Sequence, residues 1–116
     1  MKLVVLEKAS LGSDIDITFF DDFGEVSYYD NTAADEIAER VADADIVIAN
    51  KAPMNESVLE NAHNLKLICE SATGYNNVDL AYCKARGIHV TNVVGYSTPI
   101  VAQHTFAMAL YLLEKL

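Results

Sequence analysis

The residues best suited to chemistry lie where an apolar run stops. Leu65 to Cys69 reads as a buried strand, and it gives way to Glu70-Ser71 and the turn Ala72-Thr73-Gly74-Tyr75, after which Asn76-Asn77 lead into helix-like sequence. A glycine at 74 lets backbone approach a ligand closely, and successive N–H groups in such a turn form an anion-binding concavity. The alternative is a tight strand-to-helix loop whose glycine serves only its dihedral angles, and the residues alone leave both open. Lys51, at the end of an earlier apolar run, either meets the same anion or is simply solvated. His63, His89 and His104 are too scattered for a metal site, and no metal is expected. The tyrosines suit core and rim. The chain has no GxGxxG, no phosphate loop, no GxSxG and no metal motif, and it shows no constellation of acid, base and nucleophile.

These residues need a frame that presents strand ends. Leu3 to Leu6 is a short continuous apolar run, as in a strand covered on both faces. Glu7 to Gly24 reads as loops around a poor or irregular helix, and Glu25 to Tyr29 as a second strand. Asn31 or Thr32 is placed to cap a helix from about Ala33 to Ala42, where Ala34, Ile37, Ala38 and Val41 share one face. Asp45 to Ala49 is the third strand. Asn55 then caps a short helix over Ser57 to Ala62, followed by Leu65 to Cys69 as the fourth strand. Asp79 caps a helix to Arg86, with Val78 and Cys83 at the spacing of a hydrophobic staple and Gly87 as a left-handed end. Ile88 to Val90 is a short fifth strand. Strands alternating with helices predict right-handed βαβ units and a five-stranded, flavodoxin-like parallel sheet of order 2-1-3-4-5, with helices on both faces. Ligands bind such sheets beyond the carboxyl ends of the strands, here Glu7 to Leu11, Asn50 to Pro53, Ser71 to Asn77 and Asn92 to Ser97. The same strand order serves receiver domains, but those need acids after the first strand, an aspartate ending the third and a lysine ending the fifth. This chain has Lys8-Ala9-Ser10, Asn50 and Asn92 there.

Composition bounds the partners. The chain has 116 residues, 52% hydrophobic and 22% charged, with 17 acids against 8 bases and a net charge of −9. That is one folded α/β domain by length, holding one site or half of one. The acidic balance argues against nucleic acid or an anionic membrane as partner, yet leaves room for a small anion held locally by N–H groups. Cys69 and Cys83 lack CxxC spacing and read as free thiols in a reducing cytoplasm. The N-terminal apolar run is too short for a signal peptide.

The last segment strains a closed domain. Thr98 is placed as cap and Pro99 as first helical residue of a helix about 27 Å long. Its apolar residues go round nearly the whole circumference, so it must be buried on all sides. It is too short and too interrupted by Gln103, His104 and Thr105 to span a bilayer. One face can lie on the sheet, while the rest asks for another domain or another chain, so residues 99–116 are expected to self-associate, as in a homodimer.

Four strings in this order and spacing, DADIVIANKAPM (43–54), LKLICESATGYNNVDL (65–80), GIHVTNVVGYST (87–98) and VAQHTFAMAL (101–110), resemble the D-isomer-specific 2-hydroxyacid dehydrogenases, most closely their glycerate dehydrogenase or hydroxypyruvate reductase type. The resemblance runs from Met1 to Leu116. It implies a flavodoxin-like substrate domain over 1–98 and an inter-domain helix over 99–116 that leads to a Rossmann NAD domain absent from this chain, with the active site in the cleft between domains. It further implies that the N–H groups of Thr73 and Gly74 hold the carboxylate of a 2-oxo or 2-hydroxy acid, that Asn50 and Lys51 line the same pocket, and that Val101 and Thr105 lie near the nicotinamide of NAD or NADP. The family's catalytic arginine, glutamate and histidine and its GxGxxG loop come later than residue 116, and His104 matches a structural position. This chain alone is therefore expected to carry no catalytic residue, to bind no cofactor tightly and to have no turnover. Two expectations stand: a fragment of a dehydrogenase whose gene continues for about 200 residues, the size of a Rossmann domain, or a free-standing domain that binds small carboxylates or pairs with another chain without chemistry.

Overall fold

The computed structural model describes residues 1–115. Each apolar run forms a short strand: β1 (Lys2–Val5), β2 (Glu25–Tyr28), β3 (Ile46–Ala49), β4 (Leu67–Glu70) and β5 (His89–Thr91). They pair in parallel as one sheet of order β2-β1-β3-β4-β5, the expected flavodoxin-like arrangement. The register sets Leu3 beside Val26 and Ile46, Ile48 beside Cys69, and Cys69 beside Thr91.

Four helices follow: α1 (Ile37–Val41), α2 (Glu56–Leu59), α3 (Leu80–Arg86) and α4 (Thr98–Glu114). Two caps are formed as expected. Asn55 Oδ1 accepts the Val58 N–H at 3.2 Å, and Asp79 Oδ1 accepts the Tyr82 N–H at 2.9 Å. Gly87 closes α3 with φ 70°, a conformation that costs a side chain energy and glycine little.

Three expectations need correction. The helix expected from Ala33 begins only at Ile37, and neither Asn31 nor Thr32 caps it. The Thr32 hydroxyl instead donates to the Leu6 carbonyl at 2.6 Å and accepts from Arg40 at 2.7 Å, while Glu36 takes the Ala33 N–H at 3.0 Å. Tertiary bonds thus take the groups that would have started the first turn. At α4, Thr98 lies inside the helix, and the preceding Ser97 makes no side-chain cap. Finally, no face of α4 lies on the sheet, for every described residue of the helix is exposed.

Strand alternation divides the core. Val4, Leu6, Val47, Ala49 and Ile68 point to one face and pack with Ile37, Val41, Leu59 and Cys83 from α1, α2 and α3. Right-handed crossovers that run the same way along the sheet must all lie on one side. The β1-to-β2 connection runs the other way and covers the opposite face with two 3-10 turns, Lys8–Leu11 and Thr18–Phe23, and with Ile17, which is buried just before the second. That second layer is thin, and Leu67 and Cys69 stay half-buried beneath it. The fold depends on the first face: truncating Leu59 or Ile68, both fully buried, is expected to cost about 2–5 kcal/mol.

Candidate functional site

The carboxyl ends of β3, β4 and β5 are joined by a hydrogen-bond network. Beyond β3, the Asn50–Met54 turn meets the Ser71–Asp79 loop that follows β4. The Ser71 N–H donates to the Ala49 carbonyl at 2.7 Å, the Met54 N–H to the Asn77 carbonyl at 2.8 Å and the Asp79 N–H to the Met54 carbonyl at 2.9 Å. The Asn77 amide Nδ2 adds a bond to the Ala52 carbonyl at 3.0 Å. Beyond β5, the Asn92 amide donates to the Thr73 carbonyl at 2.8 Å, the Thr73 hydroxyl to the Val93 carbonyl at 2.8 Å, and the Val93 N–H to the Ala72 carbonyl at 3.0 Å.

The carbonyls of Ala72, Thr73, Tyr75 and Asn77 and the side chains of Thr73 and Asn77 are engaged while the loop's donors are open. From Ala72 to Asn77 no main-chain N–H donates to a protein acceptor among the described residues, and Thr73 and Gly74 are exposed. Exposed N–H groups ordinarily turn to water. Here they form a row at a strand's carboxyl end, the edge at which open α/β sheets take ligands. The φ of Gly74 lies outside the left-handed region, unlike those of Gly12, Gly24, Gly87 and Gly95. A glycine needed only for its dihedral angle does not describe this position. A Cβ there would lie 3.4 Å from Asn76 Oδ1, so the absence of a side chain keeps the outer side of the loop clear.

Asn50 and Lys51 are brought to the same edge, but their main-chain donors already have an acceptor. Glu7, just after β1, extends one carboxylate oxygen, Oε2, to the N–H groups of Asn50, Lys51 and Ala52 at 2.7, 2.8 and 3.1 Å. The strand order reverses between β1 and β3, the crevice where such sheets most often bind ligands. In this chain the protein's own carboxylate fills the nest formed there. That leaves Asn50 and Lys51 only their side chains to offer at this edge. Lys51 is exposed and makes no ion pair among the described residues.

Glu70, the last residue of β4, was not singled out from the sequence. It is 2% exposed. Its Oε2 accepts from Asn77 Nδ2 at 3.1 Å, and its buried Oε1 has no partner among the described residues. Burial drives its pKa up, the Asn77 hydrogen bond opposes that, and the Glu7 charge adds to it, leaving the group at about 7. Strand alternation was the signal that could have found it: in Leu67-Ile68-Cys69-Glu70, the residue two after buried Ile68 must share its inward face.

Val101 and Thr105 are not brought to this edge by packing. Both are exposed on α4, and the Thr105 hydroxyl donates to the Val101 carbonyl at 2.8 Å, one turn back. Among the described residues no cluster of His, Cys, Asp and Glu could hold a metal ion, and no helix is long and apolar enough to cross a membrane. Both cysteines are free, Cys83 buried and Cys69 half-buried.

The family model of the D-isomer specific 2-hydroxyacid dehydrogenase catalytic domain matches residues 3–111. A hydroxypyruvate reductase from Blautia hydrogenotrophica is 41% identical over 116 residues, taking in 97% of this chain and 35% of the relative. A glycerate dehydrogenase from Methylorubrum extorquens is 37% identical over 108 residues, taking in 92% and 34%. Among solved structures, an NAD-dependent formate dehydrogenase from Staphylococcus aureus in complex with NAD is similar with a TM-score of 0.77 at 29% identity, over 97% of this chain and 38% of that one. A D-lactate dehydrogenase from Aquifex aeolicus complexed with NAD and lactic acid gives 0.75 at 28%, over 97% and 33%. This chain thus spans about a third of the length of the curated relatives it matches. The residues matched, the sheet order and the identities agree: the chain belongs to the D-isomer specific 2-hydroxyacid dehydrogenases and is part of their catalytic domain.

Proposed function

We propose that this chain is the substrate-binding portion of an NAD(P)-dependent D-2-hydroxyacid dehydrogenase, which transfers a hydride reversibly between a 2-oxo acid such as hydroxypyruvate and its D-2-hydroxy acid. The observation that carries this is the pair of N–H groups at Thr73 and Gly74, without acceptors among the described residues, on the carboxyl edge of the sheet of a family member. Two such donors suit the two oxygens of a substrate carboxylate, and hydrogen bonds to an ionised acceptor are about twice as strong as neutral ones. Lys51 adds a positive charge that is unpaired among the described residues, on a chain of net charge −9, and the Asn50 amide offers both a donor and an acceptor to the rest of the acid.

The chain's own residues do not fit a dinucleotide. No GxGxxG turn is present to meet a pyrophosphate, and Val101 and Thr105 sit on a helix exposed on every described side. NAD or NADP, and the groups that move the proton and hydride, are assigned to a second domain reached through residues 99–116. Binding and orienting the acid is the task left to this chain.

The product of the whole reading frame should oxidise NADH or NADPH only when hydroxypyruvate or a similar 2-oxo acid is present, and Gly74→Val in that protein should raise KM far more than it lowers stability. A reading frame that stops after Leu116 would instead favour a free-standing carboxylate-binding or protein-pairing domain.

A further inference from the structure

Glu70 sits behind the loop edge rather than on it. It lies at the end of β4 beside Ala49 of β3, with 2% of its surface exposed. One carboxyl oxygen takes a hydrogen bond from Asn77 Nδ2, and the other is buried without a partner among the described residues. The same Asn77 nitrogen donates to the Ala52 carbonyl. A single amide group thus ties the end of β4 both to its own loop and to the turn that carries Asn50 and Lys51.

The groups around it do not favour a charge there. Glu7, from the end of β1, is another acid, and Ala49 of β3 offers no charge. Lys51, on the adjacent turn, pairs with neither carboxylate among the described residues. From α3, Asp79 is occupied as cap and Arg86 is bound to the Leu59 and Ala62 carbonyls. An anion accepts the Asn77 bond better than the neutral acid does, but one hydrogen bond does not replace the water removed from a buried carboxylate. Once ionised, the group must gain water, and water reaches it only if Asn77 and the loops over it move.

We propose that Glu70 is a positioning residue of the carboxylate site: carrying its proton, it holds Asn77 and keeps the loops bearing Asn50, Lys51, Thr73 and Gly74 in one arrangement, and on losing the proton it loosens them. This rests on the assignment of the carboxylate site made above. The burial, the open oxygen and the bridging amide carry it, and burial, with the neighbouring charge of Glu7 adding to it, moves the transition up to about pH 7.

The test is NMR on the labelled 116-residue chain, first without ligand and then with D-glycerate as probe. Without ligand, the Glu70 carboxyl carbon, the Asn77 side-chain amide and the Thr73 and Gly74 N–H signals should titrate together near neutral pH. Loop signals that stay still while Glu70 titrates, or a Glu70 that titrates in the ordinary acid range, would overturn the proposal. With D-glycerate, the neutral fraction of Glu70 falls from about nine-tenths to about one-tenth between pH 6 and 8, so the apparent Kd should rise about tenfold in the wild type. Glu70→Gln, which mimics the neutral acid, should bind at both pH values with less than about a twofold change. The same pH dependence in Glu70→Gln would also overturn it. If D-glycerate moves neither Thr73 nor Gly74 at any pH, the carboxylate-site assignment fails, and the ligand-free titration still decides whether Glu70 governs the loops.

Discussion

Replacing Glu70 with glutamine should stabilise the protein in a pH-dependent way. Glutamine keeps the shape of the neutral acid, accepts from Asn77 and places an N–H₂ group where Oε1 has no partner. In the unfolded chain the carboxyl titrates near 4.5, and in the fold burial pushes it up to about 7. Between those values the fold keeps a proton that the unfolded chain has released. The stability contributed by Glu70 is therefore fully present below pH 4.5 and is lost as pH rises through 7. The whole gap corresponds to about 3 kcal/mol, and most of it, about 2–3 kcal/mol, falls between pH 5 and pH 8. Other acids titrate over the same range, so the informative quantity is the difference between Glu70→Gln and wild type. In urea, with a slope of about 1–1.5 kcal/mol per molar for a domain of this size, the variant's midpoint should exceed the wild type's by about 2 M more at pH 8 than at pH 5. Equal offsets at the two pH values, with slopes unchanged, would show that Glu70 is not held neutral by the fold and would refute the reasoning.

Glu7→Ala should orphan the N–H groups of Asn50, Lys51 and Ala52, costing about 2–3 kcal/mol and speeding amide exchange there; unchanged exchange would mean that the Glu7 contacts do not hold in solution. Gly74→Val should stay within about 1 kcal/mol of wild-type stability, as expected for an exposed site where the added Cβ meets only Asn76 at 3.4 Å, yet weaken D-glycerate binding more than about tenfold. Equal binding by calorimetry would return the loop to a plain turn. Asp79→Ala should cost about 1 kcal/mol by urea melting through loss of the α3 cap; no loss would show that the cap carries no weight. Light scattering should show self-association through residues 99–116, of which 99–115 are described and exposed, and Phe106→Glu with Leu113→Glu should disperse it; a monodisperse wild-type monomer would contradict this.

The sheet was legible because each strand is a short continuous apolar run between turn residues, and strands alternating with helices leave little choice of topology. The caps at Asn55 and Asp79 were legible because each depends on a side chain and an N–H three residues away. The start of α1 was not, because the Thr32 hydroxyl donates to Leu6, a partner 26 positions away, while Arg40 of the helix itself donates to its oxygen. The same limit hid the grip of Glu7 on residues 50–52, which spans more than forty positions. Apolar residues all round α4 marked it as a helix needing cover, but the expectation that one face would rest on the sheet assumed a return path that the chain does not take.

The network at the strand ends explains why the candidate site is where it is. Main-chain donors must go somewhere. Those of Asn50 to Ala52 go to Glu7, those of Ser71 and Val93 to carbonyls of the neighbouring strand end or loop, and that of Val78 to Tyr75 in its own loop. The donors from Ala72 to Asn77 are left over in a loop whose carbonyls are fixed from both sides by Asn92, Val93 and Met54. On the proposed reading, a loop tied down through its acceptors, with donors left open among the described residues, would meet an anion at a lower ordering cost. Glu7 works against that anion by its charge and for it by occupying the competing nest next door. In the proposed function, a carboxylate entering this edge would therefore meet one open set of donors, at Thr73 and Gly74, rather than two.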